Sequence, residues 1–231
     1  MQTVLITGAN RGLGLEFCRQ YAAAGHQVIA ACRHPNKAEQ LAELAKQYPQ
    51  IQIEALEVAD FNQIDALAAK LADRKIDVLL NNAGVYADKP GRGFGHIDHQ
   101  AWTASLAVNV MAPLKLAEAF LPHLKRGDKR LIVALSSLMG SMTDNTSGGS
   151  ILYRSGKAGL NAALKSLSID LRPTSVGVLI LHPGWVRTDM GGPNGLIDVE
   201  ESVSGMRRVI DNFSLADTGR FVKYDGSALP W

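Results

Sequence analysis

Seven short apolar runs, at residues 3–7, 27–32, 51–56, 78–80, 131–135, 176–181 and 221–222, recur along the chain with a helix-length segment between each and the next. Antiparallel strands can be joined by tight turns, but parallel strands need a long crossover, so this rhythm predicts right-handed βαβ units. The runs are continuously apolar rather than alternating, as strands buried on both faces must be. The expected fold class is α/β, a doubly wound parallel sheet with helices on both faces, in one domain spanning 1–231.

Between the runs, helical periodicity is expected from Leu13 to about Gly25, at 37–48, 64–71, 98–124, 153–171 and 199–212. Pro113 lies inside the longest of these and should bend it or mark its break. Residues 87–95, 140–150 and 191–195, rich in Gly, Ser, Asn or Pro, read as loops. A length of 231 residues with 46% hydrophobic content suffices for one large core. The net charge of +2 gives no broad attraction for nucleic acid or an anionic membrane, and neither is expected as a partner. Cys18 and Cys32 are too few for a disulfide framework and lie in apolar runs. No signal peptide precedes the first strand, no apolar stretch reaches bilayer-spanning length, and a cytoplasmic location is expected. The histidines are scattered and form no ligand spacing with Cys or carboxylates, so no metal is expected.

The junction of the first strand and first helix reads Thr7-Gly8-Ala9-Asn10-Arg11-Gly12-Leu13-Gly14. Glycines there permit a tight turn and let the backbone approach a pyrophosphate resting on the helix N-terminus, so the fold is expected to be Rossmann-like. In the common NAD-binding arrangement an acid about 20 residues on holds the ribose hydroxyls. This chain instead has Arg33 at the end of the second strand, with no acid until Glu39. Arg33, with Arg11, would make charge-assisted bonds to a 2′-phosphate that a carboxylate would repel, so NADP(H) is expected over NAD(H). The alternative for both arginines is a solvated surface position.

Tyr153 and Lys157 stand four residues apart at the start of an amphipathic run. On a helix that is about one turn, so phenol and ammonium project from one face. A neighbouring cation stabilises phenolate, and Tyr153 is therefore expected to be a stronger acid than usual. Alone, the pair is a common helical coincidence. Two further positions make physical sense in such a site. Ser137 closes the fifth strand, where sheets of this kind bind ligands. Asn109 is an amide in an otherwise apolar helix and needs a buried partner. A turn cap and a packing amide are the alternatives for these two, and Ser136 competes with Ser137.

Taken together, Thr7-Gly8 with Gly12 and Gly14, Asn81-Asn82-Ala83-Gly84, and Tyr153 with Lys157 resemble the TGxxxGxG, NNAG and YxxxK motifs of the short-chain dehydrogenase/reductase family. The segment from Leu181 to Met190 and the ending Tyr224 to Trp231 resemble its C-factor and sniffer-type carbonyl reductase branch. The resemblance implies catalytic roles for Asn109, Ser137, Tyr153 and Lys157. It also implies cofactor contacts at Gly8, Asn10, Arg11, Gly12, Leu13, Gly14 and Arg33, then at Asn82, Ala83 and Gly84, and at Pro183, Gly184, Val186 and Thr188. Lys157 would also hold the nicotinamide ribose, beside Tyr153. Where the family commonly has Asp-Val against adenine, this chain has Glu57-Val58 with Asp60 just beyond, so either carboxylate is a candidate. The few glycine-rich residues after Thr188 suggest a short lid and an open site.

The implied activity is NADPH-dependent reduction of a carbonyl substrate to an alcohol, in a homo-oligomer, dimer or tetramer. Two alternatives are an NADP(H)-binding sensing or signalling protein with little turnover, and an epimerase or dehydratase acting on a nucleotide sugar. The second leaves little room for a substrate domain in so short a chain.

Overall fold

Side chains of a strand buried on both faces must alternate between two cores, and the first strand does so. In a computed structural model, which describes residues 1–231, β1 (Thr3–Thr7) sends Val4 and Ile6 to one face and Leu5 to the other. The same division runs through β2 (Gln27–Cys32), β4 (Val78–Asn81), β5 (Leu131–Leu135) and β6 (Gly177–His182). With β3 (Ile51–Ala55) and β7 (Arg220–Lys223) they form one seven-stranded sheet in the order β3-β2-β1-β4-β5-β6-β7. Every named pair is parallel.

Helices α1 (Gly12–Ala23), α2 (Glu39–Gln47) and α7 (Val199–Asp211) cover one face through Phe17, Leu41, Met206 and their neighbours. On the other, α3 (Phe61–Lys70), α5 (Ala112–Arg126) and α6 (Ile151–Asp170) pack Ile64, Phe120 and Leu164. The α/β doubly wound reading is therefore correct.

The expected long helix is His99–Arg126, but it is not a uniform one. An α-helical part α4 (His99–Leu106) passes through a π-helical turn, Ala107–Met111, before α5 begins. Pro113 is the second residue of α5, one residue beyond that turn. Having no N–H, it cannot serve the carbonyls of Val108 or Asn109, five and four residues upstream, so the usual ladder fails where the turn widens. The expectation that no apolar stretch reaches spanning length needs correction, because these 28 residues are long and apolar enough, with a mean hydropathy of 1.3 over the best window. Leu116, Ala117, Phe120 and Leu124 are buried against the sheet, which makes this a core helix.

At the end of the sheet away from the glycine turn, fully buried Asp77 joins three strands. Its carboxylate accepts from the N–H of Thr3 at 2.7 Å, Asp128 at 2.6 Å and Lys129 at 3.3 Å, at the entries to β1 and β5.

Candidate active site

The opposite end, where the strands finish, collects most of the residues singled out from sequence. Gly8 and Gly12 have φ of +65° and +52°, a backbone region that disfavours other residues. Gly14 is required for a different reason. A Cβ there would stand 2.2 Å from the Gly8 carbonyl oxygen, so only glycine lets α1 start this close beneath the turn. Asn82 fixes the turn from β4, its Nδ2 donating to Thr7 O at 2.8 Å and Gly8 O at 3.1 Å. The Thr7 hydroxyl in return accepts from the N–H of Asn82 and Ala83. Asn82 thus acts on the turn itself, a clamp that the sequence reading placed only as channel lining. Leu13 packs on the core, and Asn10 is half-buried beside it.

This cradle fits a dinucleotide: a turn whose side-chain space is held empty by glycine opens at the N-terminus of a twelve-residue helix. Arg33 stands at the end of β2 with its side chain 62% exposed and Nη1 3.8 Å from Glu57. The Glu57 carboxylate also accepts from Ala59 N–H at 3.0 Å. Asp60 is otherwise engaged, capping α3 through the N–H groups of Asn62 and Gln63. Of the two carboxylates, Glu57 is the one beside Arg33, and Val58 is buried in the core. Arg11 does not join Arg33. It reaches across the cleft to Asp189 at 2.7 Å, so the two arginines do not converge on one phosphate in this structure.

The segment after β6 lies over the glycine turn. Thr188 Cγ2 would be 3.7 Å from a Cβ on Gly12. Gly184, at φ +86°, passes against Ile197 and Tyr224, and the Pro183 carbonyl accepts from the Ser202 hydroxyl. Val186 is buried and bridges to Ile197, while Trp185 Nε1 donates to Gly191 O at 2.7 Å. The short lid is therefore folded back on itself.

Tyr153, Lys157, Ser137 and Asn109 come together between β4, β5 and α6. Lys157 is buried, and its Nζ donates to Leu135 O at 2.8 Å and lies 5.7 Å from the centre of the Tyr153 ring. A Cβ on Gly84 would sit 3.2 Å from Asn109 Oδ1 and 3.6 Å from Lys157 Nζ, which places all three around one point. Gly140 lets the turn after β5 close on the Lys157 backbone, at 2.8 Å for a Cβ. The two serines separate clearly. Ser136 donates to Asn161 Oδ1 at 2.6 Å, whereas Ser137 lies by the Tyr153 phenol and also caps its own turn by accepting from Met139 N–H. Asn109 is buried in the π turn, its amide bonded on both sides to the Val85 backbone, Oδ1 at 3.0 Å and Nδ2 at 2.9 Å.

Electrostatically, the site departs from expectation. Burial pushes the Tyr153 phenol up to about 12, with the Ser137 hydroxyl pulling it down and Tyr86 raising it further. Burial likewise pushes Lys157 down to about 8. The sequence expectation of an acidified tyrosine fails because desolvation opposes both charged forms, and Lys157, its Nζ turned to Leu135 O, is not among the groups that lower the phenol.

Two residues of the site had no sequence signal. Tyr86 packs its ring 4.9 Å from that of Tyr153 and its hydroxyl lies 2.7 Å from Ser150 Oγ. Asp88 accepts from the N–H groups of Leu152 and Tyr153. Helix α6 begins at Ile151, two residues before the expected start, so Tyr153 is its third residue.

A family model described as short chain dehydrogenase matches residues 2–195. The C-signal of Myxococcus xanthus is 42% identical over 166 residues, which are 72% of this chain and 99% of that protein. Among solved structures, the carbonyl reductase Sniffer of D. melanogaster superposes with a TM-score of 0.92 at 37% identity, covering 100% of both chains. An NADPH-bound carbonyl reductase from chicken fatty liver gives a TM-score of 0.91 at 35% identity, covering 100% of this chain and 99% of the other.

Proposed function

This chain belongs to the short-chain dehydrogenase family, in a branch like Sniffer and the C-signal, and we propose that within it the protein is an NADPH-dependent carbonyl reductase. The observation that carries the reading is the meeting of Tyr153, Ser137 and Lys157 beside the glycine turn. The NADPH-bound chicken relative supports the choice of cofactor. So does an exposed Arg33 at the end of β2.

Gly8, Gly12 and Gly14 would seat the pyrophosphate, Arg33 the 2′-phosphate, and Lys157 the nicotinamide ribose. When bound, the reduced nicotinamide supplies the hydride. Tyr153 donates its proton to the carbonyl oxygen of the substrate, and a phenol near 12 is fully protonated for that task at neutral pH. Ser137 donates a hydrogen bond to the same oxygen as negative charge develops on it. Lys157, near 8, can exchange protons close to neutral pH and restore the phenol. Asn109, its side-chain amide held by the Val85 backbone, would position the water that returns a proton to Lys157.

Tyr153→Phe should retain NADPH binding by fluorescence titration and lose turnover by about a hundredfold or more. Turnover close to wild type in that variant would defeat the acid role. Arg33→Ala should raise KM for NADPH about tenfold and leave KM for NADH nearly unchanged, in steady-state kinetics with both cofactors. The resemblance to the C-signal favours a second reading, a dinucleotide-binding signalling protein with little turnover. NADPH consumption across a panel of aldehydes, ketones and quinones separates the two.

A further inference from the structure

The helix that carries Tyr153 is capped by a residue outside it. The first N–H groups of a helix have no partner within the helix, and a side chain at the N-cap position ordinarily supplies one. Here that position is Ser150, in the left-handed region at φ +44°, with no side-chain cap bond. Its hydroxyl is paired with Tyr86 instead. A reciprocal capping box would need Glu or Gln at the third helical position, and that position is Tyr153. Tyr153 there excludes the reciprocal box, and the pairing with Tyr86 draws the Ser150 hydroxyl away from a cap of its own.

Asp88 supplies the missing acceptor from the loop after β4. Its Oδ1 accepts from Leu152 N–H at 3.1 Å and its Oδ2 from Tyr153 N–H at 2.8 Å, the second and third groups of the helix. A carboxylate bridging two N–H groups makes charge-assisted bonds and favours the positive end of the helix dipole. The same short segment is anchored twice more: Val85 is gripped by Asn109, and Tyr86 lies against the Tyr153 ring. Residues 84–88 thus run as a brace from the end of β4 to the first turn of α6, and its last contact falls on the Tyr153 backbone itself.

We propose that Asp88 is a positioning residue for the reaction: by capping α6 from outside, it sets where the Tyr153 phenol stands relative to Ser137 and the substrate carbonyl. The proposal rests on Tyr153 as the acid. Asp88 touches no reacting atom, so its loss should lower kcat without loosening the cofactor.

The test compares Asp88→Ala and Asp88→Asn in the full chain. In Asp88→Ala, the amides of Leu152 and Tyr153 should exchange with deuterium at least tenfold faster. Its kcat should fall about tenfold, with the dissociation constant for NADPH within twofold of wild type. Asp88→Asn keeps one acceptor and should recover part of both losses. In a Tyr153→Phe background, adding Asp88→Ala should cost no further turnover, a result that a merely structural role would not give. Unchanged exchange at both amides, or unchanged kcat in Asp88→Ala, would overturn the proposal alone. A wild-type chain with no NADPH-driven turnover would overturn the reductase reading and this proposal with it.

Discussion

Lys157 is a buried cation that makes no ion pair, its Nζ answered by the carbonyl of Leu135. The descent from an ordinary 10.5 to about 8 means that its ammonium costs the fold roughly 3 kcal/mol below pH 8. The unfolded chain holds the proton more tightly, so this cost is fully present below pH 8 and is relieved as pH rises from 8 towards 10.5. Lys157→Met should therefore abolish turnover and resist urea at pH 7 by about 1–3 kcal/mol more than wild type, after losing the Leu135 bond. Urea titrations at pH 7 and 10 should show that advantage narrowing. The identity of this residue was legible from its spacing to Tyr153, because four residues on a helix is a fixed distance. Its electrostatics were not legible, because the shift depends on how much water is excluded, and that is a property of the packed site. The same limit applied to Ser136 and Ser137, which are alike in sequence and are separated by packing, Asn161 taking the hydroxyl of the first while that of the second lies by the Tyr153 phenol.

At the scale of elements, strand ends and helix starts carry the function. The glycine turn was legible because its constraint is local: φ values of +65° and +52° and a forbidden Cβ are written directly as glycine. Gly14→Ala would drive a methyl into the Gly8 carbonyl and Asn82. It should lower the unfolding free energy by about 2 kcal/mol or more and weaken NADPH binding, by urea titration and by fluorescence. The π turn at Asn109 left one trace in sequence, Pro113, which marks the disturbance without stating its form. The cap on α6 left none. Asp88 and Tyr153 are 65 residues apart, and no periodicity or turn signature links them. The two paired arginines taught the same lesson from the opposite side, since Arg11 found Asp189 across the cleft, 178 positions away, instead of Arg33's neighbourhood.

On the scale of the whole molecule, Asp77 ties the far end of the sheet together. Asp77→Ala would leave three N–H groups at the entries to β1 and β5 without an acceptor, and should cost about 3 kcal/mol or more in urea unfolding. Asp77→Asn, which keeps one accepting oxygen, should cost less. The architecture as a whole was the most legible property, because parallel strands buried on both faces leave a continuous apolar signature and demand long crossovers. The order in which those strands lie has a consequence for how the molecule is made. Once β1 to β3 have assembled as 3-2-1, the vacant edge of β1 receives β4, and each later strand then docks beside the one synthesised just before it. A chain growing from its N-terminus thus always meets a ready template. The last exposed edge, β7, is only four residues long and begins and ends in Arg220 and Lys223. Residues 228–229 then turn back along it, bridging Ala228 to Val222 with Leu229 N–H bonded to Phe221 O, so a strand-like segment that follows β7 in sequence shields the finished sheet from a second molecule.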